Sequence, residues 1–172
     1  MIINKSLLDP LNAQIQSEFT ASSQYVAIAI YFEDEALCDL ADFFFRQAEE
    51  ERMHAMKFVH FMLDAGAKPL IPSTPEVRND FEDAADAVKY ALEQELKVTD
   101  QINNLVTIAT AESDHATRNF LQWFVTEQVE EVDSMDKLLR TIEHANGNLL
   151  WVEDYVRRNG QAAAAAEADP AA

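Results

Sequence analysis

The stretch LADFFFRQAEEERMHAMKFVHFMLDA, residues 40–65, decides the fold. Steps of three and four through it select Leu40, Phe44, Gln47, Glu51, His54, Phe58, Phe61 and Ala65. That spacing gathers side chains on one face of an α-helix. Apolar at both ends, the face is one that a helical bundle buries. Its middle nevertheless holds Glu51 and His54, one turn apart and able to share a metal ion.

Three further stretches repeat the pattern. One runs Leu8, Leu11, Ile15, Glu18, Ser22, Tyr25, Ala29, Phe32; another Val88, Leu92, Glu95, Thr99, Ile102, Val106, Ala109; the last Leu121, Phe124, Gln128, Glu131, Met135, Leu138, Ile142. Four carboxylates and one imidazole are thereby sent into one core. A carboxylate alone in an apolar interior takes up a proton rather than stay charged, and four together also repel one another. One imidazole cannot neutralise them. Two divalent or trivalent cations can, and carboxylate oxygen with imidazole nitrogen suits iron or manganese. The depths agree as well. Glu18 and Glu51 lie about equally far from the middle of the connection between their helices, and Glu95 and Glu131 equally far from Ser113, so each pair meets across an antiparallel hairpin.

The 172 residues suffice for one domain with its own core. Apolar residues at 48% and charged ones at 26% mark a globular chain rather than a disordered one. No long segment alternates with period two, so the fold is expected to be all-α. A net charge of −18 argues against nucleic-acid binding, which needs basic surface, and is compatible with gathering cations. Lone Cys38 cannot form an intrachain disulfide and points to a reducing compartment. The start, Met1-Ile2-Ile3-Asn4-Lys5, lacks a signal-peptide profile, and no apolar run approaches the ~20 residues of a membrane span. The expectation is a soluble cytoplasmic protein with no membrane partner.

The first helix is expected from about Ser6, as its cap, to about Glu35, and the second from Cys38 or Asp39 to Gly66. Residues 67–79 carry Pro69, Pro72 and Pro75 and read as an extended loop, long enough to run the length of the bundle. A third helix over 80–111, a fourth over 114–144 and a short fifth over 149–158 follow. This divides the chain into a four-helix bundle at 1–145, a fifth helix within 146–160 and an Ala-rich tail at 161–172, expected to be disordered.

Ferritin-like carboxylate proteins take one Glu from each of two helices and Glu-x-x-His from each of the other two. This chain departs from that rule on its fourth helix, where Gln128-x-x-Glu131 stands in place of Glu-x-x-His, so the second metal site is expected to be all-oxygen and weaker. The run Asn119-Phe120-Leu121-Gln122-Trp123-Phe124-Val125-Thr126-Glu127-Gln128-Val129-Glu130-Glu131 resembles the fourth-helix signature of bacterial non-haem ferritins. Glu18 with Tyr25, Glu49-Glu50-Glu51-x-x-His54 and Glu95 match the same family in order and spacing, and the resemblance covers about residues 6–158.

The resemblance implies a ferritin-like bundle, a hollow shell of 24 subunits, oxidation of Fe(II) by O2 or H2O2, and storage of the ferric mineral inside. It implies that Glu18, Glu51 and His54 bind a first iron, that Glu51 bridges to a second held also by Glu95 and Glu131, and that Gln128 hydrogen-bonds beside the second. Tyr25 would lie next to the first iron, against a plain packing role with its hydroxyl satisfied. Glu50, Glu127 and Glu130 match residues that form a third iron site, against a merely solvated acidic face. Trp123 is as consistent with packing as with passing an electron. Glu112, Asp114 and His115 fall at a turn that in ferritins lies near three-fold channels, while His60, His115 and His144 fall off the metal stripes.

Haem-binding bacterioferritins carry a Met directly after the bridging Glu. Arg52 holds that place here, and Met53 is turned about 100° away and reads as packing, so no haem is expected. A DNA-protecting mini-ferritin often carries a basic tail, and a rubrerythrin-type peroxidase needs more cysteines. The alternative from another class is a structural bundle without catalysis, in which the core carboxylates stay protonated.

Overall fold

The computed structural model describes the backbone of residues 2–168 and the side chains of residues 2–160. A 3-10 turn, Lys5–Leu7, leads into α1 (Leu8–Asp34), and α2 (Cys38–Asp64), α3 (Ala84–Ala111), α4 (His115–Ala145) and α5 (Leu149–Ala168) follow. No strand occurs among the described residues. The chain is a four-helix bundle with a fifth helix at its C-terminal end. No described helix is long and apolar enough to cross a membrane.

Short turns make α1–α2 and α3–α4 into hairpins, each closed by a residue in the left-handed region: Ala36 at φ 59° and Ser113 at φ 54°. Gly66, at φ 78°, ends α2 in the same way. At each of these three ends a 6→1 backbone bond closes the last turn, with Leu37 N–H on Phe32 O at 2.9 Å, Ala67 N–H on Met62 O at 2.8 Å and Asp114 N–H on Ala109 O at 2.8 Å. These are Schellman stops, which satisfy carbonyls that the helix leaves without partners.

Residues between α2 and α3 form the crossover, and amide side chains of α1 hold it. Leu70 N–H donates to Asn12 Oδ1 at 2.7 Å, and Gln16 Nε2 donates to Ser73 O at 2.6 Å. Gln24 makes two bonds with the Arg78 backbone, accepting from N–H at 2.8 Å and donating to O at 2.7 Å. Arg78 in turn pairs with Asp86 and lies over the rings of Phe81 and Tyr90.

Several boundaries differ from expectation. Asn4 rather than Ser6 is the first cap, its Oδ1 accepting from Ser6 N–H at 3.1 Å. The third helix starts at Ala84, not Asp80, because Asp83 caps it by accepting from Asp86 N–H at 2.8 Å. The fifth helix continues past Arg158 to Ala168, through a run of alanines, the residue of highest helix propensity. The expected disorder at 161–172 falls on residues whose side chains, and from 169 onward whose backbone, lie outside the described ones.

Two apolar clusters fill the bundle. Tyr25, Phe32, Phe44 and Met135 belong to one, together with Val152 and Val156 of α5. Leu11, Ile15, Phe58, Ile102 and Phe124 belong to the other. Glu18, Glu51, His54, Glu95, Gln128 and Glu131 are buried yet belong to neither. A polar layer therefore divides an otherwise apolar core.

Candidate metal centre

Each helix of the bundle delivers its polar residue to this layer from the middle of a buried stripe. Glu18 and Glu95 are each 1% exposed, and Glu51 is 2% exposed. Ligand atoms of Glu18, Glu51 and His54 lie within 4.8 Å of one another, a spacing at which one cation can bind all three. His54 Nδ1 is 3.4 Å from Glu51 Oε2. Its ring packs edge-on against Trp123 and Phe124, at centroid distances of 5.4 and 5.8 Å, which fixes its plane.

The other ring nitrogen faces a second acidic group. His54 Nε2 is 3.9 Å from Glu127 Oε1, and His54, Glu127 and Glu131 form a second group within the same 4.8 Å limit. The imidazole thus sits between two carboxylate groups. Glu127, which the resemblance groups with the third site, stands at i, i+4 to Glu131, a spacing that signals a shared face. Glu50 meets Gln47 by a side-chain hydrogen bond, and Glu130 is exposed and joins neither group.

Tyr25 is fully buried, and its hydroxyl donates to Glu95 Oε1, one of the candidate ligand carboxylates. Burial, and then the charge of Glu95, push its phenol well above the usual range, so it remains a neutral donor. Gln128 Nε2 donates to the other oxygen, Glu95 Oε2, at 3.1 Å. Both oxygens of Glu95 are thus already engaged by donors. Gln14, absent from the sequence reading, donates from Nε2 to Glu18 Oε1 at 2.8 Å.

The electrostatics are those of a cation site. Burial pushes the Glu18 carboxyl well above its ordinary range, and Glu51 beside it adds to the shift. Glu51 is raised by burial and then by Glu95, with Glu131 and Glu50 contributing. Burial lifts Glu95 to about 7. Glu131 reaches about 9 through burial and then through Glu95, Glu50 and Glu127. Glu18 Oε2 is buried with no hydrogen-bond partner. Packed carboxylates of this kind either hold protons or hold metal, and the nitrogen-and-oxygen donor set fits iron.

The comparisons accord with this geometry. The Ferritin-like domain family matches residues 8–145. The chain belongs to the ferritin family. "Ferritin BfrB" of Mycolicibacterium smegmatis is 47% identical to it over 159 residues, covering 92% of this chain and 86% of the relative. A "Bacterial non-heme ferritin" of Staphylococcus saprophyticus is 38% identical over 162 residues, covering 92% and 97%. Among solved structures, an open-pore ferritin from Archaeoglobus fulgidus superposes with a TM-score of 0.88 at 31% identity, covering 90% of this chain and 96% of that one. The matched residues 8–145 span all four helices of the bundle.

The acidic residues of the α3–α4 turn have structural occupations. Asp114 caps α4 by accepting from Thr117 N–H at 2.9 Å and also accepts from Asn4 N–H at 2.9 Å. Glu112 accepts from Asn4 Nδ2 at 2.8 Å. Two members of the acidic turn thus anchor the N-terminus within a single chain. Met53, read as packing, is 55% exposed. His60, His115 and His144 are exposed, away from the metal layer.

Proposed function

We propose that this ferritin is a ferroxidase that takes up Fe(II), oxidises it within the bundle and stores it as ferric mineral inside a 24-subunit shell. The observation that carries the reading is the buried group of Glu18, Glu51 and His54, with Glu95, Glu127 and Glu131 facing it across the core. Family membership supports iron storage; the oxidation step rests on the site.

In this reading the first Fe(II) sits among Glu18, Glu51 and His54, and the second among Glu51, Glu95 and Glu131, with Gln128 beside it. Two irons yield two electrons, sufficient with two protons to convert O2 to H2O2, or H2O2 to two waters. Anionic oxygen ligands favour the more highly charged Fe(III), which pulls the reaction forward. The protons that the metal-free carboxylates hold must leave as iron enters. Glu127 lies beside the centre and Glu50 and Glu130 flank it, which makes them the candidate third site on the way out. A cytoplasmic setting accords with lone Cys38.

The test is anaerobic Fe(II) titration of the metal-free shell, followed by mixing with air while Fe(III) absorbance is recorded. Two tight irons per chain and a rapid burst of that size are expected. Glu51→Ala and His54→Ala should remove the burst by at least about tenfold while leaving assembly intact. A parent-like burst in either variant would refute the assignment. Glu130→Ala should change the later turnovers rather than the first.

A further inference from the structure

Gln14 lies one turn before Glu18 on α1 and is 2% exposed. Burying a primary amide is costly unless its polar atoms are paired. Its Nε2 meets Glu18 Oε1 at 2.8 Å, a bond formed wholly inside the core. The second oxygen of the same carboxylate, Oε2, is buried and receives no hydrogen bond. Glu51, the nearest carboxylate in the cluster, is itself an acceptor and can bond there only through a shared proton. One oxygen of Glu18 is therefore committed to an amide, and one is left over.

We propose that Gln14 is a positioning residue that favours single-oxygen coordination by Glu18 and so biases the site toward small transition-metal cations. The inference rests on the metal-centre reading above and adds selectivity to it. Large hard cations collect six to eight oxygens and readily take both oxygens of one carboxylate. Smaller transition-metal ions bind fewer donors, and their affinity depends on how firmly each donor is oriented by its own hydrogen-bond partner. Gln14 acts in both directions. It occupies one lone pair of Oε1, which disfavours chelation of a large cation by both oxygens, and it holds Oε2 steady for a small one. A glutamine suits the task because its N–H donates to the carboxylate without adding charge to the layer.

The test compares the intact parent protein with Gln14→Leu and Gln14→Met, which keep the side-chain bulk and remove the donor. Metal-free shells are titrated with Co(II), followed by visible absorption, and separately with Tb(III), followed by luminescence. His54→Ala identifies the Co(II) signal of the first site by abolishing it. Loss of the amide is expected to weaken Co(II) at that site by about tenfold while Tb(III) binding holds or rises. Unchanged Co(II) affinity in both variants overturns the proposal. So does an equal loss for both ions, which marks general loosening of the layer. A parent protein that binds no Co(II) at all overturns the metal-centre reading itself, a result distinct from parent-like binding in the Gln14 variants. Should Gln14→Leu fail to fold, Gln14→Met carries the comparison.

Discussion

Glu131 is lifted to about 9 and Glu95 to about 7, and these shifts make the stability of the metal-free protein depend on pH. Below an ordinary carboxyl pKa, folded and unfolded chains both hold these protons and pH has no effect through them. As pH rises above it, the unfolded chain releases its protons while the folded one retains them. The folded state then binds more protons, and stability falls with rising pH until about 9. The loss is on the order of several kcal/mol over that window. Melting temperatures of metal-free protein should therefore drop from pH 5 to pH 9, and Glu131→Gln should flatten the slope. An identical slope in that variant would assign the pH effect to other groups. Residue identity at this layer was legible in the sequence because carboxylates in apolar stripes conflict with burial. Gln14 was not, because a polar residue one place from Ile15 carries no such conflict until the helix rotation is known. Glu127 was visible, but its approach to His54 depends on how α4 turns toward α2.

Helices were legible through their stripes, and the details lost were those that a period of three and four cannot resolve. On α3 the buried line passes through Ala91, Val98 and Leu105, whereas Leu92, Thr99 and Val106 are only partly buried. Each skipped residue has an apolar or half-polar neighbour that fits the pattern one position over, so packing against α4 decides the rotation. Helix ends were harder, since a cap depends on which side chain reaches a free N–H. Ala36 illustrates the cost of a stop without glycine, for its φ of 59° is strained in any residue with a Cβ. Ala36→Gly is expected to stabilise the protein by about 0.5–1 kcal/mol, read as a rise in melting temperature. The docking of α5 has an equally local cause. Glu153 accepts from Leu40 N–H at 2.8 Å and Asp39 N–H at 2.9 Å, so a side chain of α5 caps the start of α2. Glu153→Ala removes both bonds and the favourable charge at that helix start, at a cost of about 1–2 kcal/mol. Hydrogen exchange should rise in α5 first; unchanged protection there would mean that Val152 and Val156 alone suffice to hold it.

At the scale of the whole molecule, each hairpin is made by a short turn, and the crossover joins two units that are each closed locally. The ligands divide along the same line: Glu18, Glu51 and His54 all belong to α1 and α2, while Glu95, Glu127 and Glu131 belong to α3 and α4. Asn12 and Gln16 hold the crossover to α1 at Leu70 and Ser73, and Gln24 takes up Arg78 beyond Pro75. A cut between Pro75 and Glu76 therefore leaves each pin intact, the first two within one fragment and the last as a clasp between fragments. Co-expressed pieces 1–75 and 76–172 should reassemble into the bundle, detected as one species by gel filtration. Independent elution of the pieces would mean that the covalent strap is indispensable. Because neither piece carries the whole carboxylate layer, a divalent cation becomes a ligature between two separately made halves, and the yield of rejoined protein should climb with metal concentration.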